Sequence, residues 1–567
     1  SFIIPQQAIV DIKTIASNSI ISVYGFLFHR ILQKFKDVRN KFLFLSNMLK
    51  TLKYGAGKKR KILLAKNNRK FCISIARKTM SEALTDIKAA AKLSTFIEIR
   101  IDYIKNLNLK KLIATAKQQK CIILVTNRSK KEGGKFNGSE RLRLSLLEQA
   151  SILGTDFVDI ELSSYSKFQL HGKSKLIVSY HNTAGMPSDL NQIYKSLSKT
   201  KADIIKIAVT ANDFGDNLKM LELIEKSRKP AIAFCMGGAG IFSRVMSLSC
   251  GAPFTYVSLA KGLESAEGQL SFDEMSKLYK ADKITRKTQI YGLVGYPVSQ
   301  SIGAKFHNKA FSYLKWNAVY IPIEVHNLKS FISSLGKLNI SGFSVTTPHK
   351  KEVCKYLKKL SPEVKSAGAA NTIIYTDGLL SGYNTDGEGA IHALLEVVDT
   401  LKNKKCLILG AGATARAIAC SLKKAGAYVV ISNRTLSRGR KAAYELEVEF
   451  APWGKREQII CDVVINATSA GFGKPDESAV TGKLFRREMV ALDTVYFPAE
   501  TKFMQQAYKK GSTIISGLSM YYYQAIRQLE LWHKHRIPEP VKKKLYLSSE
   551  FCTKERVFCT VRAPLTR

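Results

Sequence analysis

Seven ionisable side chains in the first half of the chain lie in or just beyond apolar segments of strand-like composition: Glu98, Arg100, Arg128, Glu132, His181, Lys206 and Arg244. Lys206 lies in the nearly apolar segment 203–208, where burial and neighbouring arginine charges favour a neutral amine. Such an amine attacks a ketone and forms an imine, and the imine permits loss of a β-hydroxyl as water. His181 titrates near neutral pH and is the expected general acid and base, while the arginines suit a carboxylate. The set therefore predicts dehydration of an anionic substrate.

A glycine-rich turn in the second half predicts a dinucleotide site. The strand-like segment 405–409 runs into Gly-Ala-Gly-Ala-Thr-Ala at 410–415 and then into a helical pattern. The glycines let backbone amides approach a pyrophosphate at the helix N-terminus. The next predicted strand, 427–432, is followed by Arg434 and Arg438, where an NAD site usually has an acid. Two cations at this place favour the 2′-phosphate of NADP.

Regularly spaced strands must position the first set of side chains. Eight β-branched or apolar segments are predicted as strands, each separated by enough chain for a helix: 71–76, 95–101, 121–127, 157–162, 175–180, 204–209, 231–236 and 253–260. This alternation is typical of a (β/α)₈ barrel, in which the chemistry lies at the carboxyl ends of the strands. His181 and Arg244 are expected just after the fifth and seventh strands. So many charges on one rim are costly to bury unless they are used.

Short motifs in the first half carry a family resemblance. They are Glu-Ile-Arg-Ile-Asp at 98–102, Asn-Arg-Ser-Lys-Lys-Glu-Gly-Gly at 127–134, Ser-Tyr-His-Asn at 179–182, Asp-Ile-Ile-Lys at 203–206, Met-Gly-Gly at 236–238, Ser-Arg at 243–244 and Ser-Ala-Glu-Gly-Gln at 265–269. By these motifs, residues 70–275 resemble type I 3-dehydroquinate dehydratase. The resemblance implies that Lys206 forms the Schiff base, His181 shuttles protons and Glu132 orients His181. It further implies a set of substrate-binding residues: Glu98, Arg100, Arg128, Arg244, Ser265 and Gln269.

Motifs around the glycine-rich turn carry a second resemblance. They include Gly-Tyr-Pro-Val-Ser-Gln-Ser at 295–301, Ser-Val-Thr-Thr-Pro-His-Lys at 344–350, Gly-Ala-Ala-Asn-Thr at 368–372, Gly-Tyr-Asn-Thr-Asp at 382–386 and Gly-Leu-Ser-Met at 517–520. Residues 288–537 thus resemble shikimate dehydrogenase. The resemblance implies that Lys350 and Asp386 are the catalytic pair, since a lysine beside a carboxylate can protonate the alkoxide that hydride transfer leaves. It implies that the substrate is bound by Ser301, Thr346, Asn371, Tyr496 and Gln524. It implies that NADP is bound by Gly410, Gly412, Ala413, Ala415, Asn433, Arg434, Thr435, Arg438 and Gly517.

Three positions depart from the usual family patterns. Gly303 stands where a second serine usually meets the substrate carboxylate, and loss of that hydrogen bond is expected to cost about 1.5–3 kcal/mol of binding. Ser344 replaces a more usual Asn in the lysine motif, and Glu267 replaces a proline in the loop before Gln269.

Composition limits the other classes of function. The 567 residues carry a net charge of +44, but the lysines are spread along the chain, so a dedicated nucleic-acid function is not expected. No apolar run reaches the roughly 18 residues of a membrane helix, and no membrane association is expected. The ten cysteines form no CxxC pair, which argues against a zinc site and favours reduced thiols. No metal is expected.

Six segments follow from these patterns: a basic extension at 1–66 with the composition of a transit peptide, a dehydratase barrel at 67–283, a substrate-binding domain at 288–395, a Rossmann NADP-binding domain at 396–515, a returning helix at 516–540 and a basic tail at 541–567. The fold class is therefore α/β throughout.

The combined interpretation is a two-step enzyme of the shikimate pathway that acts on 3-dehydroquinate, 3-dehydroshikimate and shikimate with NADPH. One alternative gives the second unit quinate or a related hydroxy acid as substrate, since Gly303 alters the site. Another is a metabolite-sensing regulator built from enzyme domains, although Lys206, His181, Lys350 and Asp386 are all present. The expected compartment is the cytoplasm, with a plastid as the alternative if residues 1–66 are a transit peptide.

Overall fold

The protein is represented by a computed structural model that describes residues 70–298, 301–498, 500–548 and 560–561. The predicted basic extension at 1–66 lies outside the described residues, as does most of the predicted tail.

Eight parallel strands form the first sheet, as the sequence predicts. Their bounds are β1 Phe71–Ile75, β2 Phe96–Arg100, β3 Ile122–Thr126, β4 Phe157–Glu161, β5 Lys175–Asn182, β6 Ile204–Thr210, β7 Ala231–Met236 and β8 Thr255–Ser258. The order β7-β6-β5-β4-β3-β2-β1-β8 curves the sheet into a nearly closed barrel, because β1 pairs with both β2 and β8. The predicted (β/α)₈ architecture is therefore confirmed. Strand β5 is longer than predicted, so His181 lies inside it rather than after it.

Six α-helices lie between or after these strands: α1 Met80–Ala91, α2 Leu109–Gln118, α3 Glu140–Ile152, α4 Leu190–Lys199, α5 Phe214–Lys226 and α6 Ile241–Met246. Helix α1 begins with a capping box, in which Thr79 accepts from the Glu82 backbone N–H and the Glu82 carboxylate accepts from that of Thr79. Arg244 lies within α6, which follows β7, so it comes after the seventh strand as expected.

Strand alternation divides the barrel interior into layers. Apolar side chains such as Phe96, Phe157 and Phe254 pack together inside the barrel. Two residues further along the same strands, the inward positions are Glu98, Asp159 and Tyr256, because successive side chains of a strand point to opposite faces. The polar layer therefore lies on an apolar floor, toward the carboxyl ends of the strands.

A six-stranded sheet forms the next layer of the fold. Its strands are β9 Gln289–Gly295, β10 Ala318–Glu324, β11 Gly342–Val345, β12 Lys359–Leu360, β13 Thr372–Thr376 and β14 Leu379–Tyr383, in the order β10-β9-β11-β13-β14-β12. Strand β13 runs antiparallel to β11 and β14, and the other pairs are parallel. Helices α7 Gly303–Tyr313, α8 Leu328–Ser334 and α9 Pro362–Ala367 accompany the sheet, and α10 Asp386–Leu395 follows it.

The third sheet has the order of a doubly wound dinucleotide fold. Its strands are β15 Lys405–Leu409, β16 Tyr428–Asn433, β17 Glu449–Pro452, β18 Val463–Asn466, β19 Val490–Asp493, β20 Thr513–Ile515 and β21 Thr560–Val561, ordered β17-β16-β15-β18-β19-β20-β21. Helices α11 Ala413–Lys424, α12 Leu436–Leu446 and α13 Lys502–Lys509 connect them. The strand order reverses between β15 and β18, and ligands of such sheets bind at this reversal. The glycine-rich turn follows β15 and so lies at that point.

Two helices close the described chain. Helix α14, Gly517–His533, packs against α10, and Trp532 donates to the Ile373 carbonyl oxygen at 3.1 Å. The returning helix predicted at 516–540 thus ends at His533. A separate helix α15, Glu539–Ser548, then begins and extends into the predicted tail, for which the sequence indicated no element. It packs on α7, and Leu545 is fully buried. The tail therefore begins with a structural helix rather than with patternless chain.

The barrel and the second sheet share an apolar contact. The ring of Phe214 on α5 meets that of Phe331 on α8 with 5.1 Å between centroids, and α6 packs against β10. Among the described residues, no helix has both the length and the apolar character that a membrane crossing requires.

Candidate active sites

The first candidate site is a cavity of about 230 Å³ at the carboxyl end of the barrel. Nine side chains that the sequence analysis selects line it: Glu98, Arg100, Arg128, Glu132, His181, Lys206, Arg244, Ser265 and Gln269. They come from β2, β5, β6, α6 and the turns that follow β3 and β8. Parallel strands thus gather residues that lie up to 171 positions apart along the chain, from Glu98 to Gln269.

Lys206 is buried and paired with a carboxylate. Its Nζ lies 3.1 Å from Asp159 Oδ2, and Arg128 Nη2 donates to the other oxygen of Asp159 at 2.7 Å. Burial alone raises the pKa of Asp159, but the charges of Arg128 and Lys206 outweigh it and the pKa lies well below its ordinary value. The sequence pattern favours a neutral amine through burial and arginine charge. Asp159 adds a negative charge that this pattern does not reveal.

His181 and Glu132 form an acid–base pair. Glu132 Oε2 lies 3.2 Å from His181 Nδ1 and accepts the His181 backbone N–H at 3.0 Å. Burial lowers the pKa of His181 well below its ordinary value, and the charges of Arg128 and Lys206 lower it further. Burial raises the pKa of Glu132 to about 7, against the opposing charge of Arg128. The pair therefore holds a neutral imidazole whose Nδ1 faces a carboxyl group with a pKa near neutrality.

Hydroxyl groups and a second acid fix the polar residues of β2. Glu98 accepts from Ser74 at 2.6 Å and from Thr126 at 2.7 Å. Arg100 donates twice to Asp102, at 2.9 and 2.8 Å. Each side chain is therefore held by partners from the neighbouring strands or from the turn after β2, so it is already oriented when a ligand binds.

Arg244 is a buried cation that lacks a full set of partners. It is 2% exposed, and among the described residues its Nε and Nη2 have no hydrogen-bond acceptor. Its guanidinium carbon lies 4.4 Å from the centre of the Phe234 ring, and burial lowers its pKa to about 10. Buried donors without acceptors are rare in native proteins. An anion in the cavity would satisfy them, and a carboxylate matches the guanidinium fork.

The second candidate site is a cavity of about 450 Å³ between the second and third sheets. Its lining includes the expected catalytic and substrate-binding residues Ser301, Thr346, Lys350, Asn371, Asp386, Tyr496 and Gln524. Gly517, which is expected to bind NADP, also lines it. Every substrate-binding and catalytic residue expected for this half therefore borders one space.

Lys350 and Asp386 are in direct contact. Lys350 Nζ donates to Asp386 Oδ2 at 2.5 Å, and the Asn371 amide donates to Asp386 Oδ1 at 2.7 Å. Asn371 also donates to Gln524 Oε1 at 3.2 Å. Asp386 lies at the first residue of α10, where the helix dipole favours a negative charge. The pair is therefore positioned from both sides, as a proton donor to a reacting oxygen requires.

Thr414 joins the catalytic pair to the glycine-rich turn. Its hydroxyl oxygen lies 3.2 Å from Lys350 Nζ and 3.1 Å from Asp386 Oδ2. Thr414 is the second residue of α11, so it belongs to the third sheet, whereas Lys350 follows β11 of the second. The glycine-rich motif predicts the turn, but it assigns no role to the Thr414 side chain. The only sequence signal for Thr414 is its position within the glycine-rich turn at 410–415.

The departure at Gly303 is matched by a tyrosine. A Cβ at position 303 would lie 3.2 Å from Tyr320 Cε1 and 3.3 Å from its hydroxyl oxygen. The Tyr320 hydroxyl donates to Ser344 Oγ at 2.9 Å and lines the cavity. The Gly303 N–H donates to Ser301 Oγ at 3.0 Å. Both departures of this half, Gly303 and Ser344, therefore meet at Tyr320.

The glycine-rich turn is shaped to receive a phosphate. Gly410 has φ +114°, a conformation that favours glycine, and its N–H donates to the Ser432 carbonyl oxygen at 2.8 Å. Gly412 caps α11, and a Cβ there would meet nothing within 4 Å. Ala413 opens the helix and Ala415 is fully buried beneath it. The residues present therefore fit a dinucleotide, since open space lies before the N–H groups of a helix start.

The predicted adenosine end of the site lies at the start of α12. Asn433 ends β16, and its amide donates to the Thr435 carbonyl oxygen at 2.8 Å. Arg434, just after β16, and Arg438, in the first turn of α12, are both exposed. Their charges are thus free to meet a phosphate group.

Three family models match consecutive parts of the chain. The model of type I 3-dehydroquinase matches residues 71–286, that of the shikimate dehydrogenase substrate-binding domain matches 293–373, and that of shikimate / quinate 5-dehydrogenase matches 393–492.

Curated relatives span both halves. The chain is 33% identical over 518 residues to the chloroplastic bifunctional 3-dehydroquinate dehydratase/shikimate dehydrogenase of Arabidopsis thaliana, covering 85% of this chain and 84% of that one. It is 31% identical to the shikimate biosynthesis protein AroDE of Chlamydia pneumoniae, over 81% of this chain and 94% of that one. It is 36% identical to the NADP(+) shikimate dehydrogenase of Alkaliphilus oremlandii, over 46% of this chain and 98% of that one. The chain belongs to the family of bifunctional 3-dehydroquinate dehydratase/shikimate dehydrogenases.

Proposed function

We propose that the barrel dehydrates 3-dehydroquinate to 3-dehydroshikimate and that the second unit reduces this product to shikimate with NADPH. The observation that carries the proposal is the presence of two formed acid–base constellations in one chain. Lys206, His181 and Glu132 line the first cavity, and Lys350 and Asp386 line the second.

In the first site, we assign the Schiff base to Lys206. The substrate carboxylate binds the unpaired donors of Arg244, which aligns the ketone with Lys206 Nζ. Imine formation leaves a positive charge on nitrogen and expels the ketone oxygen as water. Neutral His181 then removes a proton from the carbon next to the imine and returns it to the departing hydroxyl. Water hydrolyses the imine and restores the Lys206 amine.

In the second site, Lys350 and Asp386 handle the proton. NADPH, when bound, supplies the hydride. Lys350 donates a hydrogen bond to the ketone oxygen and then the proton that the resulting alkoxide needs. Asp386 and Thr414 hold the lysine at 2.5 and 3.2 Å, so its direction is set before the substrate enters.

The dehydratase activity should depend on pH through Glu132. A carboxyl group with a pKa of about 7 is protonated below neutrality and ionised above it. Only the ionised form accepts the His181 Nδ1–H and leaves Nε2 as the base. We expect kcat/KM for dehydration to rise about tenfold per pH unit below pH 7 and to level off above it. In Glu132→Gln the pH dependence of kcat/KM near pH 7 should disappear, and kcat should fall about tenfold or more. Glu264→Gln, at an exposed site, is the control. If kcat/KM of Glu132→Gln still rises with pH up to pH 7, Glu132 is not the group responsible.

The cofactor preference should depend on Arg438. We expect strong preference for NADPH over NADH, since Arg434 and Arg438 lie where an NAD site has an acid. Arg438→Ala should raise KM for NADPH by about 10- to 100-fold, the worth of one charge-assisted phosphate contact, and leave KM for NADH nearly unchanged. Arg440→Ala, an exposed arginine of the same helix, is the matched control. Equal use of the two cofactors by the unaltered protein would refute the NADP assignment.

A second candidate substrate is quinate, which the description of the matching 393–492 model names beside shikimate. Gly303 favours quinate, because it removes a serine contact that usually holds the shikimate carboxylate. Tyr320 favours shikimate, because it lines the cavity and its hydroxyl lies next to the space that a serine side chain at position 303 would occupy. Steady-state oxidation of shikimate and of quinate with NADP⁺ separates the two. We expect the larger kcat/KM with shikimate, and a larger value with quinate would assign the second unit to the other substrate.

We propose a cytoplasmic location, since the second unit departs at Gly303 from the plant pattern. The chloroplastic relative of Arabidopsis thaliana favours a plastid instead. Fractionation of cells that express the chain with its own residues 1–66 distinguishes the two compartments.

A further inference from the structure

Tyr256 lies inside the barrel at the level of the reactive lysine. It belongs to β8, points inward like Phe254 just before that strand, and is 4% exposed. It borders the same cavity as Lys206 and Glu98. Neither the sequence motifs nor the chemistry described so far uses it.

The Tyr256 ring lies against the amine of Lys206. Lys206 Nζ is 4.1 Å from the ring centre, so the nitrogen contacts both the ring and Asp159 Oδ2. An aromatic face attracts a cation, most strongly where water is excluded. The ring therefore sets the direction from which a ketone can approach Lys206.

The Tyr256 hydroxyl has no hydrogen-bond partner among the described residues, although it is buried. Buried hydroxyl groups are usually bonded, so an unbonded one on a residue that borders a ligand cavity is a candidate donor to the ligand. Burial, with the nearby charges of Glu98 and Asp159, raises the pKa of Tyr256 well above its ordinary value. The phenol therefore keeps its proton and remains a donor. Because its ring lies on the amine, this donor is held beside the atom that attacks the ketone.

We propose that Tyr256 is a further catalytic residue of the dehydratase site, whose hydroxyl donates a hydrogen bond to the ketone oxygen while Lys206 attacks. As the bond from Nζ to carbon forms, the C=O π bond breaks and negative charge grows on the oxygen. Lys206 attacks as the free amine, after one ammonium proton has passed to the neutral His181 of the same cavity. That proton and one from the nitrogen of the adduct then go to the oxygen, which leaves as water, and the charge of +1 stays on nitrogen. Tyr256 donates a hydrogen bond and loses no proton. The inference rests on the proposed imine chemistry of Lys206.

Tyr256→Phe tests the proposal, because it removes the hydroxyl and keeps the ring. A single donor to a developing oxyanion is typically worth about 100-fold in rate. We expect kcat for dehydration to fall about 100-fold, KM to change less than threefold, and the rate of borohydride-trapped adduct formation at Lys206 to fall in parallel. Thermal stability should stay equal or rise, since an unpaired buried hydroxyl is lost. Tyr279→Phe, at a buried tyrosine outside both cavities, controls for the chemical change.

Tyr256→Leu removes the ring as well and should lose a further factor of about 10 to 30. If Tyr256→Phe retains kcat within threefold of the unaltered protein, the hydroxyl has no part in catalysis. If the unaltered protein itself gives no trapped adduct with 3-dehydroquinate, the imine chemistry fails and not the assignment of Tyr256 alone.

Discussion

Lys206→Ala should abolish dehydration of 3-dehydroquinate while the same protein still reduces added 3-dehydroshikimate. The substitution removes the only atom in the first cavity that we assign to imine formation. Loss of a covalent nucleophile typically costs an enzyme about five or six orders of magnitude in rate. The second cavity lies between other sheets and shares no lining residue with the first. Dehydration is followed by the appearance of the enone absorbance, and reduction by the consumption of NADPH.

The design separates lost chemistry from lost folding. Arg128 donates to Asp159 at 2.7 Å and is untouched by the substitution, so we expect that carboxylate to keep a cation and the barrel to stay folded. Lys201→Ala, at an exposed lysine just before β6, is the matched control and should keep full activity. Dehydration at a near-normal rate in Lys206→Ala would refute the imine at this residue.

Lys350→Ala should produce the opposite loss, with reduction impaired and dehydration intact. Removal of a general acid costs about 10²- to 10⁴-fold in rate, and we expect a fall of about 10³-fold in kcat for reduction. In this variant the Asp386 carboxylate still has the Asn371 amide and the Thr414 hydroxyl as hydrogen-bond donors, so it is not left without partners. Steady-state kinetics with 3-dehydroshikimate and NADPH measure the effect.

Lys355→Ala serves as the control for this change, since Lys355 is exposed and lies five residues further along. The contrary result is a Lys350→Ala protein that reduces 3-dehydroshikimate within tenfold of the normal rate. A fall in both activities together would instead indicate a folding defect, which the dehydration rate of the same sample reveals directly.

The strand pattern predicted the barrel closely because its signal is local. Parallel strands buried on both faces give continuous apolar runs, and each of the eight predicted runs overlaps an observed strand. The polar residues could be placed on one rim for the same reason, because they fall near the ends of these runs. The glycine-rich turn could also be predicted from a short stretch of sequence, since Gly410 and Gly412 mark the point where a strand meets a helix.

Contacts between distant segments could not be predicted in this way. Asp159 looks like an ordinary inward residue of β4, and only the assembled barrel shows it beside Lys206, 47 positions away. Thr414 meets Lys350 across 64 positions and two sheets. The unpaired hydroxyl of Tyr256 is likewise a property of the packed interior. These residues carry no motif of their own, so their importance depends on the partners that folding brings to them.

Helix α15 was missed for a different reason. Its sequence is basic, with Lys542, Lys543 and Lys544 in succession, and such a run is typical of solvated chain. The helix is stabilised by packing, since Leu545 is buried and the Tyr546 and Tyr522 rings meet at 5.2 Å. The stability of a helix of this length depends more on tertiary contacts than on the helix propensity of its residues.

A coupled assay tests the central claim most directly: one purified chain, 3-dehydroquinate and NADPH, with NADPH consumption followed over time. The account predicts consumption that requires 3-dehydroquinate, stops in Lys206→Ala and resumes there when 3-dehydroshikimate is added. Absence of consumption with either substrate, in a folded protein, would contradict it and would indicate another substrate or a regulator built from enzyme domains.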